Sequence, residues 1–277
     1  MAKGMKKEAS RPGPLGASAG GLQDTQLLLQ DLVAVVTGGA RGIGRAISEE
    51  LARHGADVAV VDMGDATATM KAVGELGRKA LAFKADVTSF GDAQTITGEV
   101  IDRLGAIDIL VNNAGVSQPK SILDLTEAEW DRTVAVNLKS SFNWCRAVAP
   151  GMLQHGRGRI VIVSSMSAKH GGGVGAGAVS KACYAATKAG LLGLTRGLAK
   201  ELAPAVTVNA ICPGVVETAM SASLVSGPNA SLLSESIPLR RFGRPEDIAH
   251  AALFLVSPWA DYVTGEIIDV NGGIYID

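Results

Sequence analysis

The chain has 277 residues, 47% of them hydrophobic, and a formal net charge of −1. This length and composition favour one large domain with a buried core, and the balanced charge argues against nucleic acid as a partner. Every apolar run is interrupted before the roughly 18 residues that a membrane span needs, so we expect a soluble protein with no membrane segment.

The three cysteines, Cys145, Cys183 and Cys212, are scattered and lack the spacing of a metal or redox site. The four histidines show no ligand spacing with one another or with cysteine. We therefore predict no metal and a reducing, cytoplasmic location.

Residues 1–27 differ from the rest because a short basic start leads into a stretch of Ser, Pro, Gly and Ala. We expect a flexible tail, since this composition offers little apolar surface to bury. No apolar segment follows the basic start, which argues against a secretory signal. Residues 28–277 then form the predicted folded domain.

Short apolar strands alternate with longer amphipathic segments through residues 28–277. Runs such as 33–36 and 160–163 are apolar on both faces, as expected for parallel strands that are covered by helices on each side. The alternation predicts an α/β fold with a doubly wound, parallel, seven-stranded sheet in a single domain. We predict strands at Val33–Thr37, Asp57–Asp62, Lys79–Lys84, Ile107–Asn112, Arg159–Ser164, Thr207–Ile211 and Glu266–Val270, with the clearest helices at Ile43–His54, Ala93–Leu104, Trp130–Met152, Tyr184–Leu202 and Pro245–Val256.

A glycine-rich turn with Gly38, Gly42 and Gly44 follows the first strand. Small residues let the backbone approach a pyrophosphate, and a helix that opens at Gly42-Ile43-Gly44 offers free amides and positive potential. The same turn is compatible with a plain strand-to-helix connection, so nucleotide binding needs support from other residues.

Asp62 gives that support, because it ends the second strand. At this place a carboxylate accepts hydrogen bonds from the adenosine ribose hydroxyls and repels a 2′-phosphate. Arg41 favours the opposite choice, since its guanidinium could bind that phosphate or could be a solvated surface charge. We predict NAD as the cofactor, with NADP as the alternative.

The third and fourth strands also end in small or polar residues. Asp86 and Val87 follow the third strand, where the carboxylate could accept a bond from the adenine amino group or could form a turn or a helix N-cap. Asn112, Ala114 and Gly115 stand at the end of the fourth strand. Because the carboxyl ends of parallel strands border the ligand crevice, we predict that these residues contact the cofactor.

Tyr184 and Lys188 are four residues apart on a predicted helix, so their side chains lie on one face. A free Tyr has a pKa of roughly 10, and a nearby ammonium favours the phenolate and lowers that pKa. The pair suits proton exchange with an alcohol or a carbonyl compound.

Together these residues resemble the short-chain dehydrogenase/reductase family, over nearly the whole chain from about Leu28. The resemblance implies a Rossmann-type sheet, a nicotinamide cofactor and a catalytic group of Asn137, Ser165, Tyr184 and Lys188. It also assigns Val216 and Thr218 to the nicotinamide amide and the pyrophosphate. The resemblance also includes Pro213 and Gly214 in the cofactor site. It rests on six motifs that occur in the family's order: Thr37-Gly38-x-x-x-Gly42-Ile43-Gly44, Asn112-Asn113-Ala114-Gly115, Asn137, Ser164-Ser165, Tyr184-x-x-x-Lys188 and Pro213-Gly214.

In the implied mechanism, Ser165 binds the substrate oxygen, Tyr184 exchanges a proton with it, and hydride passes between substrate and nicotinamide. Lys188 holds the nicotinamide ribose and lowers the Tyr184 pKa, while Asn137 holds a water that relays the proton. Taken singly, each residue also has a structural explanation: a capped loop for Ser165, a kinked helix for Asn137 and a solvated charge for Lys188.

Ser165 and Tyr184 are farther apart in sequence than family members usually have them, because the glycine-rich residues 169–177 lie between them. This insertion either shapes the substrate pocket or forms an ordinary surface loop. Ser167 is an alternative active serine, but Ser165 follows its strand in the family's register.

The segments predicted to wall the substrate pocket carry little charge beyond Lys169 and Lys181. We therefore predict an oxidoreductase for a neutral secondary alcohol or ketone, such as a polyol, a cyclic alcohol or a hydroxysteroid-like molecule. An alternative is an NADPH-dependent 3-oxoacyl-(acyl-carrier-protein) reductase, whose pattern is very similar. A non-enzymatic alternative is an NAD-sensing regulator or scaffold, against which the intact catalytic set argues.

The resemblance further implies a homotetramer, with a dimer as the alternative. The expected contacts are the two long helices at 130–152 and 184–202 and the last strand.

Overall fold

The computed structural model describes residues 27–173 and 180–276. The predicted flexible tail lies outside these ranges except for Leu27, and so do residues 174–177 of the glycine-rich insertion.

Seven parallel strands form one sheet in the order β3-β2-β1-β4-β5-β6-β7. The chain winds outward in one direction from β1 and in the other from β4, which leaves a crevice at the carboxyl ends of these two strands. The predicted doubly wound sheet in a single domain is confirmed. The strands are β1 Val33–Thr37, β2 Asp57–Asp62, β3 Ala80–Lys84, β4 Ile109–Asn112, β5 Gly158–Val163, β6 Val206–Pro213 and β7 Ile267–Val270.

Helices cover both faces of the sheet. Their bounds are α1 Gly42–Arg53, α2 Thr67–Glu75, α3 Phe90–Leu104, α4 Glu127–Val134, α5 Ser140–His155, α6 Ser167–His170, α7 Ala182–Glu201, α8 Ala222–Val225, α9 Ala230–Ser236 and α10 Pro245–Val256. Within residues 27–173 and 180–276, no helix combines the length and the apolar character that crossing a membrane requires.

The core has two apolar layers, one on each side of the sheet, because successive strand residues point to opposite faces. Val33 and Val35 of β1 pack with residues of α3, α5 and α7, whereas Ala34 and Val36 pack with residues of α1 and α10. Every residue of β1 is buried. This double burial explains the unbroken apolar run of the strand and fixes the position of its carboxyl end.

The long helix predicted at 130–152 is interrupted. A π-helical turn, Ala135–Lys139, separates α4 from α5 and carries Asn137. The Asn137 side chain accepts a hydrogen bond from the Val116 amide at 2.8 Å and donates one to the Val116 carbonyl at 3.0 Å. A wider π turn is frequent at functional sites, and here it accompanies a side chain that holds the loop after β4.

Candidate active site

The glycine turn after β1 packs directly against the end of β4. Gly38 and Gly42 have φ angles of +65° and +54°, which glycine adopts without strain. A Cβ atom on Gly44 would lie only 2.1 Å from the Gly38 carbonyl oxygen. The glycine-rich turn therefore has no room for larger residues. The first helical turn of α1 packs directly against it.

Asn113 and Thr37 fasten this turn, a role that the sequence did not assign to them. The Asn113 side chain donates to the carbonyls of Thr37 and Gly38 at 3.1 and 3.0 Å. The Thr37 hydroxyl accepts from the amides of Asn113 and Ala114 at 3.0 and 3.2 Å. The only sequence signal was the place of Asn113 within the Asn-Asn-Ala-Gly motif.

The residues around the turn fit the pyrophosphate of a dinucleotide. Helix α1 begins at Gly42, and Arg41 makes no side-chain hydrogen bond to cap it, so its first amides point toward the crevice. Across the crevice, the Thr218 methyl carbon lies 3.4 Å from the position that a Gly42 Cβ would take. A phosphate group can approach the backbone here because glycine leaves that space open.

Asp62 lies at the end of β2 and is held by two backbone amides. One carboxylate oxygen accepts from Ala40 at 3.0 Å, and the other accepts from Gly64 at 2.8 Å. Arg41 is exposed beside the same turn. The carboxylate is therefore fixed in place, whereas the guanidinium is on the surface.

Asp86 follows β3 and forms a local turn. Its carboxylate accepts a hydrogen bond from the Thr88 amide at 2.9 Å, and that bond lowers the pKa of Asp86 below its usual value. Val87 is buried next to it. Asp86 thus forms the turn that was one of its two predicted roles, and its side chain is exposed.

The residues after β4 divide between core and crevice. The Asn112 side chain turns into the core and donates to the Cys145 sulfur at 3.3 Å, which leaves its backbone at the end of β4 as the part nearest the crevice. Ala114 and Gly115 continue toward the crevice. A Cβ on Gly115 would lie 3.4 Å from Asn137 Oδ1 and 3.5 Å from Lys188 Nζ. Gly115 therefore lies where the loop after β4 meets Asn137 and Lys188.

The four predicted catalytic residues come together at the ends of β4 and β5. Asn137, Ser165, Tyr184 and Lys188 are all buried. The hydroxyl groups of Ser165 and Tyr184 form a hydrogen bond with each other. Ser167, the alternative serine, instead pairs with the Ser180 hydroxyl at 3.1 Å. The geometry therefore supports Ser165 as the active serine.

Lys188 extends from α7 toward the end of β5. Its ammonium donates to the Val163 carbonyl at 2.8 Å, and its own backbone carbonyl accepts from the Ser164 hydroxyl at 2.8 Å. Burial lowers the pKa of Lys188 to about 8. The group therefore stays mostly protonated at neutral pH and loses its proton in the mildly alkaline range.

The Tyr184 pKa differs from the prediction. Burial raises the pKa of Tyr184 above its usual value, and the hydrogen bond from Ser165 offsets only part of this effect. The Lys188 nitrogen lies 5.8 Å from the centre of the Tyr184 ring and points to the Val163 carbonyl. The site therefore holds the pKa of Tyr184 above its usual value rather than below it, with desolvation as the main cause.

The chain after β6 completes the crevice. Gly214 passes so close to Asn271 that a Cβ would lie 2.8 Å from the Asn271 Cα. Val216 is buried and forms a parallel bridge with Gly243. Pro213 ends β6 and Gly214 follows it, while Thr218, two residues after Val216, lies opposite the glycine turn.

Among the described residues, no group of three or more His, Cys, Asp or Glu side chains could hold a metal ion.

Several known proteins are similar to this chain in sequence and fold. Residues 38–275 match the family described as enoyl-(acyl carrier protein) reductase. An uncharacterized short-chain type dehydrogenase/reductase of Sinorhizobium fredii is 39% identical over 90% of this chain and its own full length. The 3-oxoacyl-(acyl-carrier-protein) reductase of Staphylococcus epidermidis is 40% identical over 88% of this chain and 98% of its own. A solved short-chain type dehydrogenase/reductase of Mycobacterium marinum has a TM-score of 0.84 and 31% identity, covering 91% of this chain and 98% of its own.

We expect Lys188 to make stability depend on pH. Its pKa is about 8 in the folded chain and 10.5 in its ordinary state, so the unfolded chain binds more protons between these values. The free energy of unfolding therefore rises with pH, by about 2 kcal/mol between about pH 8 and pH 10. Urea unfolding of the wild type and Lys188→Met across this range measures the effect.

The variant lacks this titration, so the difference in unfolding free energy, wild type minus variant, should rise by that amount. Subtraction removes the contributions of other groups, including the buried cysteines. Parallel curves for the two proteins would contradict the assignment of a depressed pKa to Lys188.

Proposed function

The chain belongs to the short-chain dehydrogenase/reductase family of NAD(P)-dependent oxidoreductases, and we propose that it transfers hydride between NAD and a neutral secondary alcohol or ketone. The hydrogen-bonded hydroxyls of Ser165 and Tyr184 would bind one substrate oxygen. The nicotinamide, when bound, supplies the hydride chemistry. The amides at Gly42 and Gly44 would hold its pyrophosphate, and Asp62 its adenosine ribose.

The single observation that carries the choice of NAD is the fixed Asp62 carboxylate. Both of its oxygens already accept backbone amides, so it stays where ribose hydroxyls would donate to its remaining lone pairs. A 2′-phosphate at the same place would face a like charge that is held in position. Arg41 is the residue that would favour NADP, and its side chain is exposed on the surface.

Within the site, Tyr184 exchanges the proton at its phenolic oxygen while Ser165 fixes the substrate oxygen. Burial favours the neutral phenol, which suits proton donation to a developing alkoxide. Asn137 uses both amide hydrogens, on the Val116 carbonyl and the Thr187 hydroxyl, and uses one Oδ1 lone pair on the Val116 amide. One Oδ1 lone pair therefore remains for the relay water.

The charges near the pocket favour a neutral substrate. Lys169 is engaged by Asp269, with 2.6 Å between the ammonium nitrogen and the carboxylate oxygen. Its side chain is only 10% exposed. An anionic substrate would have to compete with this buried ion pair for the lysine.

A second candidate is an NADPH-dependent 3-oxoacyl-(acyl-carrier-protein) reductase. The observation that favours it is the 40% identity to the Staphylococcus epidermidis protein of that name, across 88% of this chain. Asp62 counts against it because of the 2′-phosphate of NADPH. The choice of coenzyme therefore separates the two candidates.

We also propose a homotetramer. Helix α5 leaves Phe142 and Leu153 each 46% exposed, and β7 lies at the edge of the sheet. Exposed apolar side chains and an open strand edge are features that a partner subunit would cover.

Sedimentation should give a mass of about four times 28.4 kDa. Phe142→Glu should lower this mass, because the new charge would be buried at the contact. Leu123→Glu is the control, since Leu123 is 92% exposed and lies outside these elements. A monomeric wild type at micromolar concentration would refute the proposal.

The coenzyme choice can be measured by titration with NADH and NADPH. We expect the wild type to bind NADH at least tenfold more tightly, which corresponds to about 1.4 kcal/mol. Asp62→Asn should reduce this ratio toward unity, because it removes the charge and keeps the size. Asp65→Asn is the matched control, as Asp65 is a nearby exposed carboxylate that bonds only Thr67 in the described chain. Tighter binding of NADPH by the wild type would favour the acyl-carrier reductase.

The reaction can be tested by following NADH absorbance with a panel of secondary alcohols and ketones. Tyr184→Phe should lower kcat by roughly 10² to 10⁴, the usual contribution of a positioned acid or base. Its NADH affinity should stay within a few-fold of the wild type, because the phenyl ring remains. Equal turnover by the two proteins would remove Tyr184 from the chemistry.

A further inference from the structure

A buried ion pair connects the segment that follows Ser165 to the last strand of the sheet. Lys169, on the single-turn helix α6, donates to Asp269 on β7 at 2.6 Å, across 100 residues of sequence. The two side chains are only 10% and 20% exposed. We propose that Lys169 and Asp269 are positioning residues that hold the Ser165 hydroxyl in its productive orientation. This inference rests on the proposed role of Ser165.

Helix α6 contacts Ser165 directly, so its position affects the serine side chain. The Ser167 amide donates to the Ser165 hydroxyl oxygen at 3.1 Å, and the Ala168 amide donates to the Ser165 carbonyl at 3.0 Å. The first bond occupies one lone pair of the hydroxyl and thereby directs its hydrogen. A shift of α6 would rotate or release the group that also bonds Tyr184.

The helix needs an external anchor because it is too short to be stable by itself. It has four residues, a single turn, and formation of a first helical turn is unfavourable. Glycines follow it directly, with φ angles of +86° and +95° at Gly171 and Gly172. The Lys169 ion pair supplies an anchor from β7, and the rings of His170 and Tyr275 approach to 6.0 Å beside it.

Asp269 is held in the sheet next to the same segment. Asp269 pairs with Cys212 in the β6–β7 register. The residue after Cys212 is Pro213, whose carbonyl accepts a hydrogen bond from the Met166 amide at 3.0 Å. The second carboxylate oxygen, Oδ1, is buried and accepts no hydrogen bond among the described residues. Loss of Lys169 would therefore leave a poorly compensated charge inside the protein, which is more disruptive than loss of both partners.

The decisive experiment compares Lys169→Met, Asp269→Asn, the double variant and Lys169→Arg in the full-length protein. Steady-state kinetics, NADH titration and hydrogen exchange of the amides in residues 167–171 are measured on each. Arg159→Met is the matched control, because Arg159 makes a 2.7 Å ion pair with Asp261 that also joins β5 to the last part of the chain. That pair lies at the start of β5, at the opposite end of the strand from Ser165.

We expect Lys169→Met to lower kcat at least tenfold, since small displacements of a catalytic group cost up to about a hundredfold. Exchange in α6 should accelerate about tenfold, while NADH affinity stays within twofold. Lys169→Arg should restore most of kcat because it keeps the ion pair, and the double variant should be less impaired than Lys169→Met. Arg159→Met should leave kcat and α6 exchange unchanged.

Wild-type kcat and wild-type exchange in Lys169→Met would overturn the proposal. Equal losses in Lys169→Met and Arg159→Met would also overturn it, because they would indicate a general loss of stability. Failure of the proposed function is distinct: the wild type would then bind NADH and turn over no alcohol or ketone. Exchange of the α6 amides needs no substrate and reports the anchor in that case too.

Discussion

The close contact between the glycine turn and the end of β4 is the constraint on which the rest of the site depends. The Asn113 side chain ties the two together, and the packing leaves no room for a Cβ on Gly44 against the Gly38 carbonyl or on Gly38 against Ala114. This contact sets where α1 begins, and hence where its free amides point. The same β4 end continues to Gly115, which lies against Asn137 and Lys188. The glycine turn and the group of Asn137 and Lys188 are thus positioned by the same strand end.

Burial and the nature of the partner group determine how the lysines of the site behave. Lys188 is surrounded by protein and donates to the Val163 carbonyl, an arrangement that lowers its pKa to about 8. Lys169 is also largely buried, but it faces the Asp269 carboxylate. A buried ammonium that lacks a carboxylate partner gives up its proton readily, whereas a paired one acts as a fixed anchor. The two buried lysines are thus held differently, Lys169 by a carboxylate and Lys188 by a backbone carbonyl.

Features that depend on local sequence pattern, such as the strands, could be predicted from the sequence. Features that depend on packing between distant residues could not. Apolar runs such as 33–37 predict strands well, since both faces of the sheet are covered. The π turn at Asn137 has no signature in hydrophobic period, so 130–152 looked like one helix. Asn112 and Asn113 are equivalent by position, and only the fold sends one to the core and the other to the glycine turn. The Lys169–Asp269 pair joins residues 100 positions apart and leaves no local trace.

The balance between Asp62 and Arg41 follows from how each is held. Accommodating a 2′-phosphate would require the Asp62 carboxylate to leave two backbone amides, and a hydrogen bond to a charged group contributes about 1.5–3 kcal/mol. An ion pair formed by an exposed arginine contributes only about 0–1 kcal/mol, with an entropy cost for ordering the side chain. This difference in how the two side chains are held is the physical basis for the proposed preference for NAD. The Staphylococcus epidermidis relative named as an acyl-carrier-protein reductase is 40% identical over 88% of this chain, and overall identity of that kind does not fix the coenzyme, because the residue that ends the second strand meets the adenosine ribose.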